Sequence, residues 1–392
     1  MLSWEYPPLV VGGLGRHVEA LSRELVRAGH EVQVVTRGEK DDIVDELVDG
    51  VRIRRAAVDP LAIDFTTESL LSWSQAHEHS LLRAALPLLR RYRPDVVHAH
   101  DWLVAQAGMT LAAHTHARLV ATIHATEAGR HLGWLPQPLN RAIHSVESWL
   151  ATSADAVITC SRTQRDETAG LFALDPSDVR VVPNAVDVPR WQVGARVRRQ
   201  TRTRLAGSGP LVAFAGRLVH EKGVQTLLDA VRPLRRRHPD LRLAIAGTGT
   251  YEDALRERAR SLRVVRSVDW LGFAAEAEVA ALLGAADVAV VPSFYEPFGI
   301  VALEAVAART PVVVAATGGL ADLAADGIAA ASFRPGDVAG LVDAVDSVLA
   351  DPAGAVRGAA RAARIVARDY TWAAVADRTA QVYRTAGGRT VR

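Results

Sequence analysis

The stretch Phe214-Ala215-Gly216-Arg217-Leu218-Val219-His220-Glu221-Lys222-Gly223 places Arg217 just past an apolar β-like run and Lys222 at the start of a helix. Two cations at the carboxyl end of a sheet can neutralise a diphosphate. With no carboxylate cluster available for a metal, the side chains themselves would supply that charge. Only Lys40 and Lys222 are lysines among the 46 basic residues, so position 222 stands out as one suited to a compact ammonium. Plain surface charge on a loop is the alternative reading. Gly247-Thr248-Gly249 follows the next strand and could border the same groove.

A second element is Pro292-Ser293-Phe294-Tyr295-Glu296-Pro297-Phe298-Gly299-Ile300-Val301-Ala302-Leu303-Glu304-Ala305. Glu296 falls in a loop after a strand, and Glu304 in the second turn of the helix that follows. A carboxylate accepts hydrogen bonds from vicinal hydroxyls, so the pair suits the two ends of an extended ligand carrying ribose and hexose. The amides of Phe298, Gly299 and Ile300 would sit at the helix start, facing phosphate or sugar oxygen. Read without a ligand, Glu304 is an ordinary exposed helix residue. A third element, Gly12-Gly13-Leu14-Gly15-Arg16-His17, opens a helix with amides that an anion can approach closely. Simple turn geometry accounts for it equally well.

These residues need a scaffold that brings loops to one sheet edge. Both halves alternate short apolar β-branched runs with amphipathic stretches, the pattern of parallel α/β sheets. Strands are predicted near residues 31–36, 51–54, 95–100, 119–124, 156–160 and 179–182, and then near 211–215, 241–246, 268–271, 288–291 and 311–314. A helix over 16–28 has Val18, Leu21 and Leu25 on one face and Gly29 at its stop. Two doubly wound sheets follow, with ligands outside the carboxyl ends of the strands. The arginine-rich segment 188–209 lacks strand signals and reads as an interdomain linker. It separates an N-terminal domain, residues 1–190, from a C-terminal one, residues 205–370. A last helix over 371–392, with Trp372, Val375, Val382 and Tyr383, should pack back across the first domain. Only residues 1–4 precede the segment 5–8, short for a central strand, so the natural chain is expected to begin a few residues earlier.

The 392 residues suit two domains, and 49% hydrophobic against 23% charged residues is a globular balance with material for two cores. No apolar run is long enough for a membrane span, and the first residues lack a signal-peptide pattern, so a cytoplasmic location is expected. The single Cys160 excludes a disulfide framework and a multi-cysteine zinc site. A net charge of +2 without a basic stripe argues against nucleic acid. Nine of thirteen histidines lie between His77 and His144, and His77/His79, His98/His100 and His114/His116 are each spaced as strand neighbours on one face. With no evident third ligand, no metal site is expected there; His98 reads as buried. The basic stretch Leu88-Leu89-Arg90-Arg91-Tyr92-Arg93 reads as a solvated helix end rather than a membrane contact.

Taken with the glycine-rich first turn, the Arg217/Lys222 pair, Glu296 and Glu304 with seven residues between, and Thr317-Gly318-Gly319-Leu320, the chain resembles the retaining nucleotide-sugar glycosyltransferases of family 4 over essentially its whole length. That resemblance implies the GT-B fold, two Rossmann-like doubly wound domains facing across a cleft. It implies that Arg217 and Lys222 hold the donor diphosphate, Glu304 the ribose, and Glu296 with the backbone of Phe298, Gly299 and Ile300 the transferred sugar. Gly12, Gly13, Gly216 and Gly247 would complete the donor pocket. His124, in Thr122-Ile123-His124-Ala125-Thr126, matches the family's active-site histidine and would touch the donor sugar near the scissile bond. Asp101 and Trp102, in Val97-His98-Ala99-His100-Asp101-Trp102, would shape the acceptor pocket together with Glu127 and Tyr6. Trp4 and Trp134, like Tyr6 and Trp102, could stack on acceptor sugar rings; they could equally be core. The openings Ser3-Trp4-Glu5-Tyr6-Pro7-Pro8 and His124-Ala125-Thr126-Glu127-Ala128-Gly129-Arg130 look closest to actinobacterial α-glucan-forming enzymes of the glycogen-synthase and methylglucose-lipopolysaccharide type.

The implied activity is retaining, metal-independent transfer of glucose from ADP- or UDP-glucose to a glucan or oligosaccharide, with an α-1,4 link and no cofactor. Rival readings are transfer of another sugar, such as mannose from GDP-mannose, to a lipid or small alcohol; a non-catalytic nucleotide-sugar or glycan binder; and an epimerase. Two departures stand out. Asn184-Ala185 replaces the family's common Asn-Gly, where a positive φ would be strained, and Asp322 stands where a glutamate is frequent.

Overall fold

The computed structural model describes residues 1–9, 12–59, 61–66 and 68–386. They form two compact units, Met1–Asn184 with the segment from Trp372 onward, and Ala185–Thr371. In the first unit the strands are β1 (Leu2–Ser3), β2 (Gln33–Arg37), β3 (Val44–Val48), β4 (Val51–Ala56), β5 (Val96–His100), β6 (Arg118–Ile123), β7 (Ala156–Thr159) and β8 (Val179–Val181). They lie in the order β3-β4-β2-β1-β5-β6-β7-β8. All neighbours are parallel except β3 and β4. A parallel sheet covered by helices on both faces buries every side chain, which is why Val34, Ala99, Val120, Ala121 and Val157 are all fully enclosed.

The first strand is indeed short. Two residues suffice because both edges are paired, Leu2 lying opposite Val35 and Ala99. The following helix, Gly13–Arg27, starts earlier than its apolar stripe, the glycines forming its first turn, and buries Val18, Leu21 and Leu25 as predicted. β3 was not anticipated from sequence. Leu47 on it is 71% exposed, so no apolar face announces it. The available signal was Asp49-Gly50, whose φ values of 51 and 82 make the two-residue hairpin turn to β4.

The second unit holds β9 (Leu211–Ala215), β10 (Arg242–Ala246), β11 (Val268–Gly272), β12 (Val288–Val291), β13 (Val312–Ala315) and the unanticipated three-residue β14 (Ala331–Phe333). Their order is β11-β10-β9-β12-β13-β14, wholly parallel. Strand order therefore reverses between β9 and β12, and in the first sheet between β1 and β5. Loops diverge at such points and leave a crevice beyond the carboxyl ends.

The segment expected as a linker is instead folded. Helices Val188–Trp191 and Ala195–Leu205 belong to the second unit, with Trp191, Thr201 and Leu205 buried and Arg202 paired to Asp287 at 2.6 Å. The boundary falls at Asn184/Ala185. The final helix, Trp372–Thr385, lies in the first unit, where Tyr383 Oη meets His98 Nδ1 at 2.7 Å. Residues 88–90 form a short 3-10 turn with Leu88 and Leu89 against the core and Arg90, Arg91 and Arg93 exposed. No helix among the described residues is long and apolar enough to cross a membrane.

Candidate active site

In the second unit, the chain leaves β9 through Gly216 and the exposed Arg217, which has no hydrogen-bond or ion-pair partner among the described residues. The turn His220–Lys222 and a left-handed Gly223 then start the helix Val224–Arg237. The Lys222 ammonium lies 2.6 Å from Glu296 Oε2, and Ser293 Oγ stands 3.3 Å from the same oxygen. Both ionic side chains are largely buried, 20% and 14% exposed, so their pairing is screened less than a surface ion pair.

Three loops are stitched together around that pair. Phe294 N–H donates to Glu221 O at 2.8 Å, Thr317 Oγ1 to Phe294 O at 3.0 Å, and Gly319 N–H to Glu296 O at 2.9 Å. Gly318 has φ +49, and a Cβ there would lie 2.1 Å from Glu296 O. Glu304 is half-buried in the second turn of the helix Ile300–Ala307, as expected. The Phe298 ring is buried, so what it offers a ligand is backbone, at a helix start whose first amides have no intrahelical acceptor. Gly216 and Gly247 sit at strand ends with their amides already used, donating to Ala246 O at 3.0 Å and Gly272 O at 2.7 Å. Their contribution is close approach rather than donated hydrogen bonds.

In the first unit, His124 follows β6 directly and Asp101 follows β5. The His124 amide donates to Asp101 Oδ1 at 2.6 Å, and the Asp101 amide to Thr122 O at 2.9 Å. Asp101 holds φ 66, a costly conformation for a non-glycine residue that those bonds maintain. Burial pushes its carboxyl up to about 7 and the His124 imidazole down to about 4. Trp102 is half-buried beside it. Glu127 opens the short helix Glu127–Arg130 and is already engaged, accepting from Asn140 Nδ2 at 2.7 Å. At Gly12 the amide donates to a Glu5 carboxylate oxygen at 2.9 Å, ahead of Gly13 in the helix.

Tyr6 differs from its expected role. It is 4% exposed with its hydroxyl 3.3 Å from Ser22 Oγ, so its ring faces the interior and presents no surface to a sugar; Trp4, at 6%, is likewise enclosed. Trp134, 70% exposed, is free to stack. His17, not expected at the site, joins it: its Nδ1 lies 2.7 Å from Asn184 Oδ1 and its ring meets that of His124 with centroids 4.8 Å apart. The glycine turn that precedes His17 was the available signal. Ala185 after Asn184 is not among the residues with positive φ, so the departure from Asn-Gly carries no strain.

Glu147 supports this region from below, its carboxylate accepting the Glu127 amide at 2.9 and 3.1 Å. Desolvation, partly offset by that bond, pushes its carboxyl from 4.5 up to about 8. Between those values the folded chain holds a proton that the unfolded chain has released, so stability falls as pH rises toward 8. Glu147→Gln keeps an acceptor and removes the titration. Its stability relative to the parent, read by urea unfolding, is expected to improve from about pH 5.5 to about pH 8. An equal difference at both ends would exclude a protonated Glu147.

Residues 11–190 match the family described as Glycosyltransferase Family 4, and residues 198–366 match Glycosyl transferases group 1. The chain is 46% identical over 395 residues to a glycogen synthase of Mycobacterium tuberculosis, covering 98% of this chain and 93% of the relative. It is 34% identical over 403 residues to a D-inositol 3-phosphate glycosyltransferase of Kineococcus radiotolerans, covering 96% and 91%. Among solved structures, a sucrose-phosphate synthase from Thermosynechococcus elongatus shares the fold with a TM-score of 0.84 and 24% identity, over 98% of this chain and 97% of that one.

Proposed function

Since the chain belongs to glycosyltransferase family 4, we propose that it transfers glucose from ADP- or UDP-glucose to a glucan or oligosaccharide, retaining the α configuration and forming an α-1,4 link. The observation that carries this reading is the Lys222–Glu296 contact of 2.6 Å at the strand-order reversal of the second sheet. It sets a cation for a departing diphosphate beside a carboxylate for sugar hydroxyls. Glucose and glucan are favoured over other sugars by the 46% identity to a glycogen synthase along nearly the full length of both chains.

In this mechanism the bond from C1 to the diphosphate oxygen breaks as the acceptor hydroxyl attacks the same face, and the hydroxyl proton passes to the departing diphosphate. Arg217 and Lys222 stabilise the charge that grows on that leaving group, with the Phe298, Gly299 and Ile300 amides beside them. Glu296 orients the hexose. His124, unprotonated at neutral pH, hydrogen-bonds the sugar near C1, while Asp101, Trp102 and Glu127 line the acceptor side. No metal and no cofactor takes part, and the reaction is placed in the cytoplasm.

Glu304 accepts the ribose hydroxyls. Glu304→Ala should lose charge-assisted hydrogen bonds of about 1.5–3 kcal/mol, raising the donor KM on the order of 10–100-fold with kcat little changed. A fall in kcat at unchanged KM would remove Glu304 from the ribose. The reading as a whole is tested with ADP-, UDP- and GDP-sugars against maltooligosaccharide and inositol phosphate, with and without EDTA, and with anomeric analysis of the product. Transfer only from GDP-mannose, a β-linked product, or activity that vanishes with EDTA and returns with manganese would each overturn it.

A further inference from the structure

His17, His100 and His124 come from three different elements of the first unit, and each turns a ring nitrogen toward the other two. The three nitrogens lie within 4.8 Å of one another. His100 Nδ1 and His124 Nε2 are 3.2 Å apart, near the roughly 3.3 Å that separates two ligands in a tetrahedral shell with zinc–nitrogen bonds of about 2.0–2.1 Å. His17 Nδ1 faces Asn184 Oδ1 at 2.7 Å. That oxygen only accepts, so Nδ1 carries the proton and Nε2 keeps its lone pair, the tautomer and outer partner that metal-bound histidines use. His100 is fully buried, and its second nitrogen, Nε2, has no hydrogen-bond partner. An ion held by Nδ1 would leave that Nε2 unpartnered; what points to a metal is the convergence of the three nitrogens and the His17–Asn184 pair.

The neighbours define who can and cannot ligate. His98 stacks on His100 with centroids 4.0 Å apart, but both its nitrogens are engaged, with Tyr383 Oη and Thr122 Oγ1 at 2.7 Å each, so it forms a wall. Trp372 closes the side next to His17, with centroids 5.5 Å apart. Asp101, bonded to the His124 amide, is the adjacent carboxylate that can offset a dication.

We propose that His17, His100 and His124 form a three-imidazole site for a divalent transition metal of the zinc, cobalt or nickel class, and that an ion seated there withholds His124 from the donor sugar. Nitrogen-only ligation favours these ions over magnesium and manganese, which prefer oxygen donors. The ion is an inhibitor rather than a participant. That second half rests on the transferase reading; the site itself does not.

Calorimetric titration of the metal-stripped full chain with Zn²⁺, without sugar nucleotide, is expected to give one strong site per chain, and Co²⁺ the visible absorption of a four-coordinate nitrogen shell. Mg²⁺ should give no binding. Asn184→Ala keeps all three ligands but frees the His17 ring, and should weaken zinc on the order of 10–100-fold. His17→Ala should abolish the strong site; melting curves check both variants, and Asn184→Ala remains decisive if His17→Ala does not fold. Zinc bound with unchanged affinity by Asn184→Ala and by a folded His17→Ala would put the ion on surface histidines such as His114 and His116 and overturn the proposal, as would the absence of binding to the parent. In assays, zinc should inhibit in competition with donor and EDTA should restore turnover. One tight zinc per chain in a protein that transfers no sugar under any condition would refute the transferase reading while leaving the metal site intact.

Discussion

Lys222→Ala is expected to leave a folded chain whose turnover falls on the order of 10²–10³-fold, the cost of removing one preorganised stabiliser of leaving-group charge. The loss should appear mainly in kcat, because the negative charge on the departing diphosphate is larger in the transition state than in the bound donor. Folding should survive, since the Lys222 amide bonds to Val219 O at 3.1 Å and the left-handed Gly223 after it are untouched. Steady-state release of nucleoside diphosphate, with circular dichroism as the control, measures the effect. Turnover within a few-fold of the parent would remove Lys222 from the chemistry.

Gly318→Ala is expected to lower kcat/KM on the order of 10²-fold without removing any group that contacts substrate. The added carbon would stand 2.1 Å from Glu296 O, at a residue with φ +49. Neither a backbone carbonyl nor a helix start can yield cheaply, so the loop carrying Glu296 must shift, and displacement of that kind is what a positioned carboxylate tolerates least. Gly327→Ala is the control. It carries the same type of backbone strain at φ +75, yet its nearest neighbour is Ile365 Cδ1 at 4.0 Å. It should lose stability of about 1 kcal/mol and keep near-parental activity. Equal loss of activity in the two variants would show that general destabilisation, not the Glu296 loop, is being read.

What the sequence makes legible follows from how strongly a position is dictated by its surroundings. Central parallel strands such as Leu211–Ala215, Val288–Val291 and Val312–Ala315 are buried on both faces and read as unbroken apolar runs. The edge strand Val44–Val48 meets solvent and carries Asp45 and Glu46, so the same rule misses it. The helix Ala195–Leu205 is mostly arginine and threonine, and only a few of its residues touch the interior, which is why it looks like a linker. Positions just past strands at the reversal of strand order are legible, among them those of Arg217, Lys222, Glu296 and Asp101. His17 and Asn184 are not, because their partnership joins the beginning of the first unit to its last loop and no spacing encodes it. Tyr6 shows the converse: an aromatic beside a glycine turn has one sequence signature whether it faces a ligand or the core, and burial decides.

The contact between Lys222 and Glu296 has one further consequence. Each side chain is enclosed enough that, without the other, it would be a stranded ion poorly served by water. The two positions are therefore bound to a common fate: a chain that loses one by mutation still folds but inherits an electrostatic defect at the other, added to any effect on turnover.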